Sequence, residues 1–248
     1  MSAEKIHQLM KRLLTTALLI TALGAAIAQT ADYKLNVQNF CELTVVDGVG
    51  VDYYCRPDSA GWVVFSCAPE TASHIMFSNK AEHLTIQTDA DEAPIPGVPR
   101  VKVYSAALRK AENSGDSLMR IYVNEPVRDF KVRQIGNGDI EIYGVQAERV
   151  DAGIAAGNGR MHIDGKAHKA TVRNVGTGRI DASLLSADEV RCFVFGSGDI
   201  HVSPAHRLKI YGAGTGIVYF HLAPDKITNR GLGVKALPFA GGEMATMR

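Results

Sequence analysis

Gly136-Asn137-Gly138-Asp139-Ile140 returns along the chain as Gly157-Asn158-Gly159-Arg160-Met161, Gly176-Thr177-Gly178-Arg179-Ile180, Gly196-Ser197-Gly198-Asp199-Ile200 and Gly214-Thr215-Gly216-Ile217-Val218. A weaker last copy follows at Gly231-Leu232-Gly233-Val234-Lys235. First glycines are 21, 19, 20, 18 and 17 residues apart, and a near-fixed period of this length marks a stacked repeat. Aligned on the second glycine, the next positions alternate. Ile140, Met161, Ile180, Ile200 and Val218 stand two residues on, and Ile142, Ile163, Ala182, Val202 and Phe220 stand four on. Between them come Asp139/Glu141, Arg160/His162, Arg179/Asp181, Asp199/His201 and Ile217/Tyr219. Period-two alternation is the pattern of a strand with one buried face.

Before the glycines, the same alignment puts Val132, Gly153, Val172, Cys192, Ile210 and Ile227 in one inward column. Cys192 therefore reads as a core filler. A unit of about 20 residues cannot bury its own apolar face; units stacked about 4.8 Å apart merge their inward columns into one core. The expected fold is an all-β, right-handed single-stranded parallel β-helix with Gly-x-Gly corners. The expected organisation is irregular first rungs over about 38–125 and regular repeats over about 126–240, all within one domain at 29–248.

Outward from the repeats, the N-terminal part is punctuated by turns. Strands are expected at 42–46, 51–55, 62–67, 74–77, 84–87, 100–104 and 118–123, with a polar lead at 29–38 and loops at 89–99 and 107–116. The chain's 24 glycines against 1 Trp, 8 Phe and 8 Tyr suit short strands joined by tight turns. A net charge of +1 at pH 7 gives no bulk field that points to nucleic acid. Residues 1–28 read as a signal peptide: Lys5, Lys11 and Arg12 precede an apolar run that closes on Ala26-Ile27-Ala28. The mature chain is then expected to be exported, to the periplasm, the outer-membrane surface or the medium, with no transmembrane segment after cleavage. In such a compartment Cys55 and Cys67, flanking the turn at Pro57–Gly61, make one candidate disulfide. Cys41–Cys55 is the competing pairing, and buried free thiols are the third alternative.

The serial Gly-x-Gly-Asp-Ile corners, the opening Leu43-Thr44-Val45-Val46-Asp47-Gly48-Val49-Gly50-Val51-Asp52 and the signal peptide together resemble the bacterial auto-transporter adhesin, head GIN domain family. The resemblance spans about residues 38–240. It implies an exported right-handed β-helix and brings no catalytic residues with it. Only Asp139 and Asp199 keep the corner aspartate, which is Arg160, Arg179 and Ile217 elsewhere.

Three kinds of chemistry bear on these residues. Phosphate cradling needs a helix after the glycines, or Gly-Lys-Ser/Thr, and neither is present. Calcium rolls run on nine-residue repeats, which the longer period here does not supply. The remaining candidate is the outward ladder Glu141, His162, Asp181, His201 and Tyr219. Acids alternating with histidines at rung spacing suit a metal, a pH-sensitive surface through raised histidine pKa values, or plain charge compensation on a solvated sheet. No cofactor is expected. The functional expectation is non-catalytic binding or adhesion through exposed faces to a glycan or protein, with a polysaccharide-active enzyme or a purely structural or regulatory envelope protein as alternatives.

Overall fold

The computed structural model describes residues 30–89 and 95–239. The expected signal peptide, part of the 89–99 loop and residues 240–248 lie outside the described residues. The strands in chain order are β1 Ala31–Asn36, β2 Glu42–Val45, β3 Val51–Cys55, β4 Trp62–Cys67, β5 Ile75–Lys80, β6 His83–Thr88, β7 Val101–Ser105, β8 Lys110–Asn113 and β9 Met119–Tyr122. Then come β10 Val127–Ile135, β11 Ile140–Ala156, β12 Arg160–Gly176, β13 Arg179–Gly196, β14 Ile200–Gly214, β15 Ile217–Phe220, β16 Lys226–Leu232 and β17 Lys235–Pro238. They form a β-solenoid of about six turns.

From β10 onward the pairing is parallel and in register with the repeat. Ile140 pairs with Met161, Met161 with Ile180, Ile180 with Ile200 and Ile200 with Val218. Ile140, Ile180, Ile200 and Val218 are 0% exposed, so this column is the core. Each of the long strands β11 to β14 runs along one face of a rung, bends, and enters the next. In β11 the bend falls at Gly144, between Ile142 and Val145, where the register shifts.

The corners show why glycine recurs. A Cβ on Gly196 would stand 2.3 Å from the carbonyl oxygen of Gly176, and φ there is +135°. Both the rung approach and the backbone conformation exclude a side chain. The same stacking corrects the alignment of the last copy: Gly231 pairs with Gly212, whereas Gly233 lies against Gly214. A corner also precedes the first recognised one, because Gly136 lies against the carbonyl of Gly115.

The inward column before the corners is Val132, Ala152, Val172, Cys192, Ile210 and Asn229. Gly153 is displaced into the outward column beside it because Ala155 is an extra residue: Gln134 pairs with Ile154 and Ile135 with Ala156. Ile227 pairs with Leu208, one column away, and at 42% exposed it lies outside the core rather than in the expected inward column.

The N-terminal third departs from sequential stacking. β2 pairs in parallel with both β6 and β8, and β3 with both β7 and β9. The rung formed by β2 and β3 is therefore sandwiched between the β6–β7 rung and the β8–β9 rung. The chain lays down an inner rung, leaves it, builds the outer one and then crosses back. Outside β6 and β7, the strands β5 and β4 pair antiparallel, and β1 pairs antiparallel with β4. Reversed strands cover an edge that would otherwise offer open hydrogen-bonding groups. Two segments expected to be irregular are strands: β1 lies in the polar lead, and β8 in the 107–116 loop. In β8 the inward side chains are only Ala111 and Asn113, which leaves no apolar alternation to read.

Candidate functional site

The face after the corners carries the acid–histidine ladder in the expected register: Glu141 pairs with His162, His162 with Asp181, Asp181 with His201 and His201 with Tyr219. The column continues N-terminally through Arg120, Asp52 and Lys102. Its members are engaged by neighbouring protein groups. Arg120 Nε donates to Glu141 at 2.9 Å and the Tyr143 hydroxyl donates to the same oxygen at 3.2 Å. Ser183 donates to Asp181 through its backbone N–H at 3.0 Å and its hydroxyl at 2.6 Å. Burial works to raise the Asp181 carboxyl, but these donors with His162 and His201 nearby bring it below its ordinary value.

His201 behaves opposite to the expectation of a raised imidazole. Burial pushes it down, and Asp181 only partly offsets that. Its Nδ1 lies 3.2 Å from His221 Nε2, and its ring stacks on Tyr219 at 4.7 Å between centroids. Among the described residues no group of three His, Cys, Asp or Glu side chains could hold a metal ion.

Beside this column runs a row of tyrosines. Tyr104, Tyr54, Tyr122 and Tyr143 stack in sequence with centroids 5.5, 5.1 and 5.3 Å apart and planes within 20° of parallel. Rings stacked along the solenoid axis cover one another's faces. What they turn to solvent is edges and hydroxyls, so the row is a cross-rung zipper.

The face before the corners has a different character. Its outward side chains fall into three columns. The first is Asp129, Arg149, Lys169, Glu189, Arg207 and Lys226; the second is Lys131, Asp151, Thr171, Arg191, Lys209 and Thr228. The third is Arg133, Gly153, Arg173, Phe193, Tyr211 and Arg230. Ten basic side chains thus face three carboxylates, on a protein whose net charge is only +1. Each carboxylate is held by an arginine: Asp129 by Arg149, Asp151 by Arg173 and Glu189 by Arg207. Between these side chains lies a half-open trough of about 490 Å³, lined by Lys131, Arg149, Asp151, Lys169, Thr171 and Arg191 among others. Along its third column the Arg173 guanidinium lies over the Phe193 ring at 5.3 Å, and Phe193 stacks on Tyr211 at 5.4 Å.

With the solenoid and its faces established, comparison with known proteins decides the family. Residues 39–224 match the family model described as "Putative auto-transporter adhesin, head GIN domain". The chain belongs to this family. Solved structures with the same fold include a "putative adhesin" from Bacteroides fragilis NCTC 9343, with TM-score 0.72, 16% identity, and 84% of this chain and 97% of that one covered. A "putative lipid binding protein" from Parabacteroides distasonis ATCC 8503 aligns with TM-score 0.66 at 16% identity, covering 84% and 96%. A "putative adhesin" from the same organism gives 0.65 at 20% identity, covering 84% and 97%. At these identities the likeness is one of fold. No curated protein matches the chain.

In this head GIN domain the corner aspartates are not simply solvent-facing. Asp139 Oδ1 accepts the backbone N–H of Arg160 at 2.9 Å, and Asp199 Oδ1 that of Ile217 at 2.9 Å. Each ties its corner to the next rung. The hairpin that would set Cys55 across from Cys67 does not form. β7 pairs with β3 on one edge and with β4 on the other, so it lies between the two cysteine-bearing strands. Both cysteines are buried free thiols, and Cys55 Sγ donates to the carbonyl of Ala106 at 3.2 Å. Cys41 is also free, with Arg109 Nη2 donating to its sulfur at 2.7 Å. Cys192 is fully buried, as a core filler should be, and burial pushes its thiol up.

Sequence reading missed the basic trough. The signal was present in Arg133, Lys131, Lys169, Arg173, Arg191 and Lys209, but it is spread over three outward columns interrupted by Asp129, Thr171, Glu189, Phe193 and Tyr211, so no single column reads as basic. Among the described residues, no helix is long and apolar enough to cross a membrane.

Proposed function

We propose that this head GIN domain is an exported, non-catalytic contact module of the cell envelope, which holds a glycan or protein partner against its outward sheet faces. The trough on the face before the corners is the contact surface. The observation that carries this reading is the continuity of its three outward columns from β10 to β16, in register at every rung. A repeating array of this kind along an open trough suits a partner that is itself extended, and binding spread over many rungs needs no single deep pocket. The fold it shares with proteins described as adhesins agrees with such a role.

A polysaccharide-cleaving site along Glu141–His201 finds less support. Hydrolysis by a carboxylate pair requires one acid kept protonated and one free to act. Here Glu141 is held by Arg120 and Tyr143, and the Asp181 carboxyl lies below its ordinary value.

The test is a glycan array together with binding to envelope fractions, using residues 29–248. Saturable binding that a charge change in the trough weakens is the expected result. Absence of binding to every glycan and fraction would overturn the reading, and bond cleavage in a bound glycan would move it to the enzyme class.

A further inference from the structure

The trough's charge is unevenly satisfied, and that unevenness identifies a ligand. Asp129, Asp151 and Glu189 are each occupied by an arginine of the same face. Lys131, Lys169, Arg191 and Lys209 have no ion-pair partner among the described residues. Lys169 belongs to the rung of Thr171, Arg191 to the next and Lys209 to the one after. Consecutive rungs are about 4.8 Å apart. Lys169 and Arg191 in the trough and Lys209 just beyond its end thus offer about one uncommitted cation per 5 Å along the solenoid axis, Lys131 stands two rungs before Lys169 across the ion-paired rung of Arg149, and Thr171 lines the space between.

We infer that the trough binds an extended anionic polysaccharide lying along the solenoid axis, with about one carboxylate per sugar, as in a polyuronate. This rests on the contact-module reading and adds the ligand's chemistry to it. Charge spacing favours such a polymer over nucleic acid. Duplex DNA carries a charge about every 1.7 Å, and Asp129, Asp151 and Glu189 would stand against part of it. Single strands are held by aromatic faces on which bases stack. Phe193 is covered by Arg173 on one side and stacks on Tyr211 on the other, so this face offers no run of open rings for successive bases. A planar membrane surface does not enter a concave trough, whereas a narrow chain does. Sugar hydroxyls between the carboxylates can meet Thr171 and the ion-paired arginines without separating those pairs.

The experiment measures binding of residues 29–248 to polygalacturonate, to neutral dextran of similar length, to single-stranded DNA and to vesicles of phosphatidylcholine with phosphatidylserine. Polygalacturonate is expected to bind with an affinity that falls as salt rises, and dextran not to bind. Lys169→Gln and Arg191→Gln are each expected to weaken binding about tenfold or more. Lys102→Gln, the same charge change on the other face, should leave it within about twofold. All three side chains are solvent-facing, and an unchanged Tm confirms that the variants fold. Equal affinities for Arg191→Gln and the parent protein would overturn the inference. So would tighter binding of DNA or vesicles than of polygalacturonate. Failure to bind polygalacturonate while array glycans or envelope fractions still bind would sink the ligand class and leave the contact module standing. Failure on all of them would remove the contact module as well.

Discussion

His201 Nδ1 and His221 Nε2 share a hydrogen bond of 3.2 Å, so one of the two rings must be the neutral acceptor. Phe239 stacks on His221 at 4.3 Å and Tyr219 on His201 at 4.7 Å, closing the end of the outward ladder. Both histidines are pushed below the ordinary imidazole value, with burial as the largest cause for each. For His201, Arg179 and His221 add to that while Asp181 and Asp199 oppose it.

A histidine whose folded pKa is depressed binds fewer protons in the folded state than in the unfolded state. Stability is then complete above the unfolded value of about 6.5 and falls as pH drops below it. Asp181, also depressed when folded, adds a second loss below about pH 4. Thermal melting should show Tm declining from pH 7.5 to 5, with a shallower decline in His201→Phe. A level Tm across that range would contradict the assignment.

Gly196→Ala tests the corner. The new Cβ would meet the Gly176 carbonyl at 2.3 Å, at a φ of +135°. A loss of more than about 2 kcal/mol is expected from denaturant melting, whereas Gly48→Ala, with nothing within 4 Å of its Cβ, should change stability by under about 1 kcal/mol. Equal effects would show that corner stacking does not select glycine.

Ile180 is 0% exposed, between Met161 and Ile200. Ile180→Ala should cost about 2–5 kcal/mol, and Ile180→Asp should prevent folding, because an unpaired carboxylate would enter the shared core. An unchanged Tm in either variant would defeat the stacked-rung account.

With β7 between their strands, Cys55 and Cys67 should both react with a thiol reagent once the protein is unfolded without reductant. Protection of the pair until reductant is added would mean that they are bridged.

Asp139→Ala removes the acceptor for the Arg160 backbone N–H and guanidinium. A loss of about 1–3 kcal/mol is expected, and Asp139→Asn should recover part of it by keeping an acceptor oxygen. Equal stability of the alanine and asparagine variants would exclude a rung-tying role.

The legible parts of this protein were those coded over a few neighbouring residues. Alternation after each corner located the Ile140-to-Val218 core and placed Glu141, His162, Asp181 and His201 on one outward line, because strand period and repeat period coincide there. Harder to see were features that depend on counting across a bulge. One extra residue at Ala155 moved Gly153 out of the core column, and the basic trough escaped column-wise reading because its cations are spread over three columns that also hold Asp129, Thr171, Glu189 and Phe193. β8 was hidden for another reason: its inward side chains, Ala111 and Asn113, are too small or too polar to signal a strand.

The sequence by itself determined that the chain stacks, where it turns and which side chains face inward, since these follow from glycine geometry and a two-residue period acting locally. Only the tertiary structure decided that the β2–β3 rung is sandwiched between two later ones, which strands cap the first edge, and that β7 keeps Cys55 and Cys67 apart. It also decided the charge of the trough. Lys131, Lys169, Arg191 and Lys209 are about twenty residues or more apart in the chain, except for the last pair, and only cross-rung register brings them onto one face.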